Sequence, residues 1–242
     1  MSPRARSQLV ASSSDSPSPV TSARDGVSRE TSRPLPPWAE AARPGLLAYA
    51  DQLASAGVER GLIGPREVPR LWDRHILNCL VVADPSLDLV PGAAVVADVG
   101  SGAGLPGMVW ALARPDIQMI LVEPLLRRSE FLNETVSSVG LTDRVAVVRG
   151  RAEDLGRSPE WAGVDVVTAR AVAPLAKLLG WTIPLAKPGG RLVALKGESA
   201  QAEVEAAREL EGTIGVTGLR VAKCGQGVVN PATVVVVGER VS

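Results

Sequence analysis

The sequence predicts an α/β fold: a mostly parallel seven-stranded sheet flanked by helices, closed by an antiparallel C-terminal hairpin and preceded by a helical N-terminal cap. Three observations carry this. After Pro91, short β-branched runs alternate with helical stretches, which is the grammar of parallel βαβ units. Residues 219–241, "LRVAKCGQGVVNPATVVVVGERV", break that alternation and read as two strands joined by a short glycine-containing link. Ahead of Pro91 the apolar spacing is helical throughout.

Residues 1–37 are rich in Ser, Pro and Arg and have almost no apolar periodicity, so they are expected to stay disordered. The cap is expected over 38–90. In "PPWAEAARPGLLAYADQLASAGV" the residues Leu46, Leu47, Tyr49, Ala50, Leu53 and Ala54 fall near helical spacing. "GLIGPREV" reads as a connector. The next helix is predicted to open at Pro69, a residue suited to a first helical position, with a buried stripe of Leu71, Trp72, Ile76, Leu77 and Leu80.

The core is expected over 91–242, as one domain with the cap. Its predicted strands cover 93–100, 117–123, 144–150, 164–172 and 189–197, followed by the hairpin. Helices are predicted over 105–115, 125–140, 174–186 and 198–212, the last acidic and solvated.

The chain has 242 residues, 45% of them hydrophobic, enough for one sizeable core. Twenty-six basic residues balance twenty-six acidic ones, so any nucleic-acid contact must come from a local basic patch. Cys79 and Cys224 are far apart and give neither metal-ligand spacing nor a disulfide framework, which suits a reducing cytosol. No apolar run reaches membrane-spanning length, and the N-terminus lacks a secretory signal. The expectation is a cytoplasmic monomer with no metal and no membrane partner. Trp38, Trp72, Trp110, Trp161 and Trp181 are scattered and read as packing residues, unlike the clustered stacking platform of a single-strand binder.

The densest signal is "DVGSGAGLPG" at 98–107. Glycines at 100, 102 and 104 follow the first predicted strand, where a ligand can approach bare backbone at the carboxyl end of an open sheet. A triphosphate loop would need Gly-Lys-Ser/Thr, and no lysine is present. A dinucleotide fingerprint is literally there as Gly102, Gly104 and Gly107, a weak signal alone. Asp98-Val-Gly-Ser-Gly-Ala-Gly104 also fits the acidic-x-Gly-x-Gly-x-Gly loop that holds S-adenosylmethionine. Glu123 closes the second strand, where a carboxylate can accept both ribose hydroxyls of either ligand. The C-terminal hairpin and the "KPGGRL" lead favour the methyl donor, and with it a class I S-adenosylmethionine-dependent methyltransferase of Rossmann-like fold.

In that fold the methyl acceptor meets the donor beside the end of strand four, here Thr168-Ala169-Arg170-Ala171. An Asn/Asp-Pro-Pro-Tyr/Phe motif for amine methylation is missing there, and Asn230-Pro231 lies before the last strand. No Pro-Cys nucleophile stands there either. An acceptor with a free lone pair, such as guanine N7, needs no deprotonation, so no catalytic acid or base is assigned and Arg170 lines the site. Another acceptor, or an idle RNA-binding module, remains an alternative.

"RHILNCL" (74–80), "DVGSGAGLPG", "RRSEFL" (127–132), "RAED" (151–154), "ARAVAPL" (169–175) and "LKG" (195–197), in this order, resemble the bacterial 16S rRNA guanine-N7 methyltransferase G family, also called glucose-inhibited division protein B. The resemblance spans about residues 60–200. It departs at Asn78-Cys79, where the family usually has Asp-Ser, and at Gly61–Gly64, where it has Asn-Leu-Thr. It implies S-adenosylmethionine as cofactor and 16S rRNA or the small ribosomal subunit as partner. It further implies cofactor contacts from Gly100 and Leu105, adenine flanked by Ala152 and Glu153, and Arg170 at the cofactor pocket.

The residues read as meeting RNA are Arg70 and Arg74, one helical turn apart, with His75 beside the cleft, Arg127 and Arg128 opening a helix on the ligand side, and Lys196. Arg70 and Arg74 could instead pair with Asp73. Arg149, Arg151 and Lys177 could complete the patch.

Overall fold

The computed structural model describes residues 33–241, so of the tail expected to be disordered over 1–37, residues 1–32 lie outside the described residues, whereas within 33–37 Leu35 is buried and Pro37 opens a 3-10 turn. The predicted strands appear as β1 (Val95–Val99), β2 (Gln118–Val122), β3 (Val145–Val148), β4 (Val164–Arg170), β5 (Ala186–Lys196), β6 (Val216–Cys224) and β7 (Thr233–Arg240). They form one sheet in the order β3-β2-β1-β4-β5-β7-β6. The first five run parallel, and β7 enters antiparallel between β5 and β6. The inner strands β1 and β4 are buried along nearly their whole length. Their runs are mostly apolar because helices cover both faces, the exceptions being Asp98 in β1 and Asp165, Thr168 and Arg170 in β4.

The chain winds outward from β1 to β2 and β3, then crosses back to start β4 on the other side of β1. That reversal leaves a crevice at the carboxyl ends of β1 and β4, the usual ligand position in such sheets. The crossovers are α3 (Gly107–Ala113), α4 (Leu126–Ser138), α5 (Ala152–Leu155), α6 (Leu175–Thr182), α7 (Ala200–Ala207) and α8 (Glu211–Ile214). The one-turn α5 has too few apolar residues to show a period, and the sequence pattern predicts no helix there. The single acidic helix expected over 198–212 divides into α7, a 3-10 turn and α8.

The cap begins with a 3-10 turn at Pro37–Ala42 and α1 (Arg43–Gln52), which continues through a π-helical stretch at Leu53–Gly57. Leu35 is already buried in the core, so packing starts ahead of Trp38. The second cap helix starts a turn earlier than predicted, at Pro65 rather than Pro69. Extended Gly64 caps it, accepting the Glu67 backbone N–H at 2.8 Å, while Pro65 takes the first position, where its missing N–H costs nothing. The helix runs on through a π-helical stretch (Trp72–Leu77) into α2 (Asn78–Leu80). The predicted stripe Leu71, Trp72, Ile76, Leu77 and Leu80 is buried, in one apolar cluster with Val96, Met108, Trp110 and Leu121 of the sheet layer. Trp110 donates Nε1–H to the Cys79 carbonyl at 2.8 Å, fastening cap to core. Both cysteines are free and buried, and burial pushes each thiol up to about 11.

Candidate functional site

The glycine loop leaves β1 in a conformation that side chains resist. Gly100, Gly102 and Gly104 have φ of +67°, +59° and +100°. At Gly104 space forbids a side chain as well: a Cβ would lie 2.6 Å from Met108 Cγ and 2.9 Å from Tyr49 Oη. Backbone N–H groups of Gly100 and Ser101 donate to the Val122 carbonyl at 2.9 and 3.2 Å, and Tyr49 of α1 donates its hydroxyl to the Ala103 carbonyl at 2.8 Å. The loop is thus tied to β2 on one side and to the cap on the other.

Two carboxylates brace it. Asp98 is fully buried; Oδ2 accepts the Gly107 N–H at 3.0 Å, and Oδ1 is buried without a partner among the described residues. Burial pushes its carboxyl up to about 7, against the opposing hydrogen bond from Gly107. Glu123 follows β2 and is buried too, its oxygens accepting the N–H groups of Gly102 at 2.9 Å and Leu125 at 3.0 Å. Each carboxylate oxygen has two lone pairs, so Glu123 can shape the loop and still accept a further donor.

Two cavities flank the crevice. The smaller, about 220 Å³, is lined by Gly100, Pro124, Ala152, Glu153, Val172 and Trp181, among others. The larger, about 630 Å³, lies across Val172, bounded by Asn78, Arg170, Lys196, Glu198, Glu203 and Thr233. Val172 borders both, and the preceding Ala171 sits at φ +54°, turning the chain sharply after β4. Leu105 is buried beneath the loop.

Arg170 ends β4 half-buried, and its Nη1 donates to His75 Nδ1 at 3.1 Å. That leaves the ring proton on Nε2, which donates to Glu67 Oε2 at 2.9 Å. Burial, then the Arg170 charge, hold the His75 pKa below its usual value, so the ring is neutral at pH 7.

The residues expected to meet RNA divide into two groups. Arg127, Arg128 and Arg70 are exposed and make no side-chain hydrogen bond or ion pair among the described residues, although the Arg70 charge helps to lower the Glu67 pKa. Arg149 and Arg151 are exposed at the end of β3, and the register Val122↔Val148 sets them beside the strand that leads to Arg127. The other group is engaged. Arg74 pairs with Glu67 at 3.2 Å, while Asp73 pairs with Arg33 at 2.9 Å, so no ion-pair set forms around Asp73 with Arg70 and Arg74. Lys196, whose side chain is 10% exposed, bonds Glu203 at 2.8 Å and the Ala173 carbonyl at 2.7 Å. Lys177 lies over the Trp181 ring.

Sequence reasoning missed Tyr49, Val172, Trp181, Glu203 and Thr233. Val172 lies within "ARAVAPL", two residues past Arg170; the other four carry no local signal and reach the site through tertiary packing. The nearest hint is that Tyr49 is the only tyrosine in the chain, set in the cap's apolar stripe.

The chain matches the family model for rRNA small subunit methyltransferase G over residues 43–231. It is 55% identical over 190 residues to ribosomal RNA small subunit methyltransferase G of Mycolicibacterium gilvum, covering 78% of this chain and 81% of that protein. The Streptomyces coelicolor protein of the same name is 51% identical over 210 residues, 84% of each chain. Among solved structures, the pyocyanin biosynthetic protein PhzM superposes with a TM-score of 0.53 at 15% identity, over 79% of this chain and 61% of that one, a likeness of fold alone. With the loop, the crevice and this shared sequence together, the chain belongs to the rRNA small subunit methyltransferase G family.

Proposed function

We propose that this protein is a cytoplasmic S-adenosylmethionine-dependent methyltransferase acting on N7 of one guanine in 16S rRNA. The observation that carries the reading is the braced glycine loop at the β1–β4 switch point, opening onto the smaller cavity, which shares Val172 with the larger one. The cofactor fits the residues present. The loop offers close backbone approach, Asp98 Oδ1 is an orphaned acceptor behind it, and Glu123 has lone pairs left for a ribose diol. The smaller cavity, walled by Pro124, Ala152, Val172 and Trp181, suits a flat adenine beside Glu153. Gly100 borders it and buried Leu105 supports the loop from beneath.

When bound, the cofactor supplies a methyl group on a sulfonium. Attack on that methyl by the guanine N7 lone pair would release the neutral thioether and leave the positive charge on the base. The protein then has no proton to move; its task is in-line placement, worth up to about 7–11 kcal/mol when geometry is well held. The larger cavity is the place for the acceptor base. On its wall Glu203 is already paired with Lys196, which leaves the Glu198 carboxylate as the group there that favours a base becoming cationic. A flipped-out or single-stranded guanine can enter it; a stacked one cannot.

For the RNA backbone, Arg127, Arg128 and Arg70 are the available cations, with Arg149 and Arg151 extending the face. Arg74 and Lys196 would first have to leave their acidic partners. No helix among the described residues is long and apolar enough to cross a membrane, and none of their acidic, His or Cys groups clusters as a metal site.

The test is incubation with labelled cofactor and under-methylated small subunits or bare 16S rRNA, followed by mapping of N7-methylguanine by chemical cleavage. Label at a single guanine is expected. Label on another atom or molecule means a different acceptor, and RNA binding without transfer means an idle binding module; either result overturns the reading.

A further inference from the structure

The cap touches the catalytic crevice through a side-chain chain that the transfer reaction itself does not require. Glu67 comes from the first turn of the second cap helix, His75 from its middle and Arg170 from the end of β4. A guanidinium at a cleft edge is free to adopt many rotamers, and its value to a reaction that depends on placement falls with that freedom. Here one Nη is fixed by an imidazole nitrogen, and the imidazole is fixed in turn by a carboxylate.

We propose that His75 is a positioning residue: its neutral ring, protonated on Nε2 and anchored by Glu67, holds the Arg170 guanidinium at the wall of the larger cavity. Geometry argues against the two other roles open to a lone histidine beside the crevice. It is a poor phosphate ligand, because both ring nitrogens are engaged within the chain and its side chain is only 16% exposed. It is no general base either, because the lone pair on Nδ1 already accepts from Arg170. The charged groups facing the ring are Glu67 and Arg74 from the cap and Arg170 from β4. Arg74 also bonds Glu67, so the carboxylate is held from two sides. Protonation of the ring would turn Nδ1 into a donor facing a donor and release Arg170. The burial and the Arg170 charge that keep the ring neutral therefore serve the same end.

The proposal rests on the reading of the crevice as a methyl-transfer site, but one of its tests does not. His75 is the only histidine in the sequence, so its ring nitrogens can be observed without assignment in untagged, nitrogen-15-labelled protein. At pH 7 the expected pattern is a neutral ring with the proton on Nε2, and in Arg170→Ala the ring's titration midpoint is expected to rise. A charged ring at pH 7, the Nδ1–H tautomer, or an unmoved midpoint in Arg170→Ala overturns the proposal.

The second test uses two amides of different reach. Asparagine sets its oxygen near the former Nδ1 and keeps an acceptor for Arg170; glutamine reaches the Nε2 position and faces Glu67 instead. His75→Gln is expected to lose kcat/KM for transfer by on the order of tenfold or more, the size of one missing hydrogen bond to a charged group. His75→Asn is expected to stay within a few-fold of the wild type. Equal losses in the two variants, or a loss confined to salt-sensitive RNA affinity with kcat unchanged, overturn the proposal. If the wild-type protein transfers no methyl group at all, the functional reading fails while the nitrogen spectra still decide this one.

Discussion

Replacing Asp98 by asparagine should remove a loss of stability that the wild type suffers as pH rises towards 7. The carboxyl is fully buried at the end of β1, and its pKa moves from 3.8 to about 7, chiefly by desolvation. In the unfolded chain the group is ionised above about pH 4. In the folded chain it keeps its proton until about pH 7. Between those values the folded state binds more protons, so stability falls as pH rises through the window. Three pKa units correspond to about 4 kcal/mol in full, of which roughly 2–3 kcal/mol falls between pH 5 and pH 8. His75 acts with the opposite sign. Its folded pKa is lowered, so its contribution is present above the unfolded pKa and is lost as pH falls. The wild-type profile is therefore a partial cancellation, and the informative quantity is the difference between Asp98→Asn and wild type. Asparagine matches the shape and keeps an acceptor for the Gly107 N–H. Denaturant unfolding at pH 5 and pH 8 should show the gap between the two proteins shifting in favour of Asp98→Asn by roughly 2–3 kcal/mol, or roughly 5–10 °C in relative Tm for a chain of this size. Parallel profiles would refute the claim that burial holds this carboxyl protonated.

Tyr49→Phe should cost about 1–3 kcal/mol by leaving the Ala103 carbonyl without its buried donor. It should also weaken cofactor binding, because the glycine loop loses its tie to the cap; calorimetry on the cofactor alone reads this. Trp181 borders the smaller cavity, so its fluorescence should be quenched by cofactor, and Trp181→Phe should remove most of the signal although four tryptophans remain. Replacing Arg127 and Arg128 by glutamine should reduce the slope of log affinity for rRNA against log salt by about one unit for each phosphate that the protein no longer neutralises. The same change at Lys196 should instead destabilise the fold by freeing Glu203.

The strands were legible because parallel strands buried on both faces must be largely apolar and β-branched, and "VVADV" or "QMILV" admits little else. The reversed C-terminal pair was legible for a different reason: eight residues between Cys224 and Thr233 are too few for a crossover helix. The start of the second cap helix was not, since Pro65 and Pro69 are equally suited to a first helical position and only the extended Gly64 decides between them. The glycine loop and its two acids were visible as types. Their work was not: Asp98 and Glu123 read as ligand contacts, yet in the fold each first accepts a backbone N–H of the loop or of the chain just beyond it. Lys196 illustrates the same limit. Its sign is written in the sequence, but its partner Glu203 lies across a turn on α7, and only the fold brings the pair together.

Such a site should be unusually dependent on its frame. A reaction that moves no proton gives the enzyme no acid or base to optimise, so rate must come from holding two ligands in line. The groups that do the holding are anchored in the cap. Tyr49 fixes the loop after β1, the Cys79 carbonyl receives Trp110 of α3, His75 receives Arg170 of β4, and the Asn78 side chain receives the hydroxyl of Thr233, the first residue of β7, at 2.8 Å. Four separate parts of the sheet layer are thereby referenced to one short helical unit, through buried or part-buried bonds whose loss leaves a polar group unpaired. The cap thus belongs to the site as fully as the glycine loop does. Substitutions there that leave every cofactor contact untouched should still lower transfer, by shifting the two cavities relative to each other across Val172.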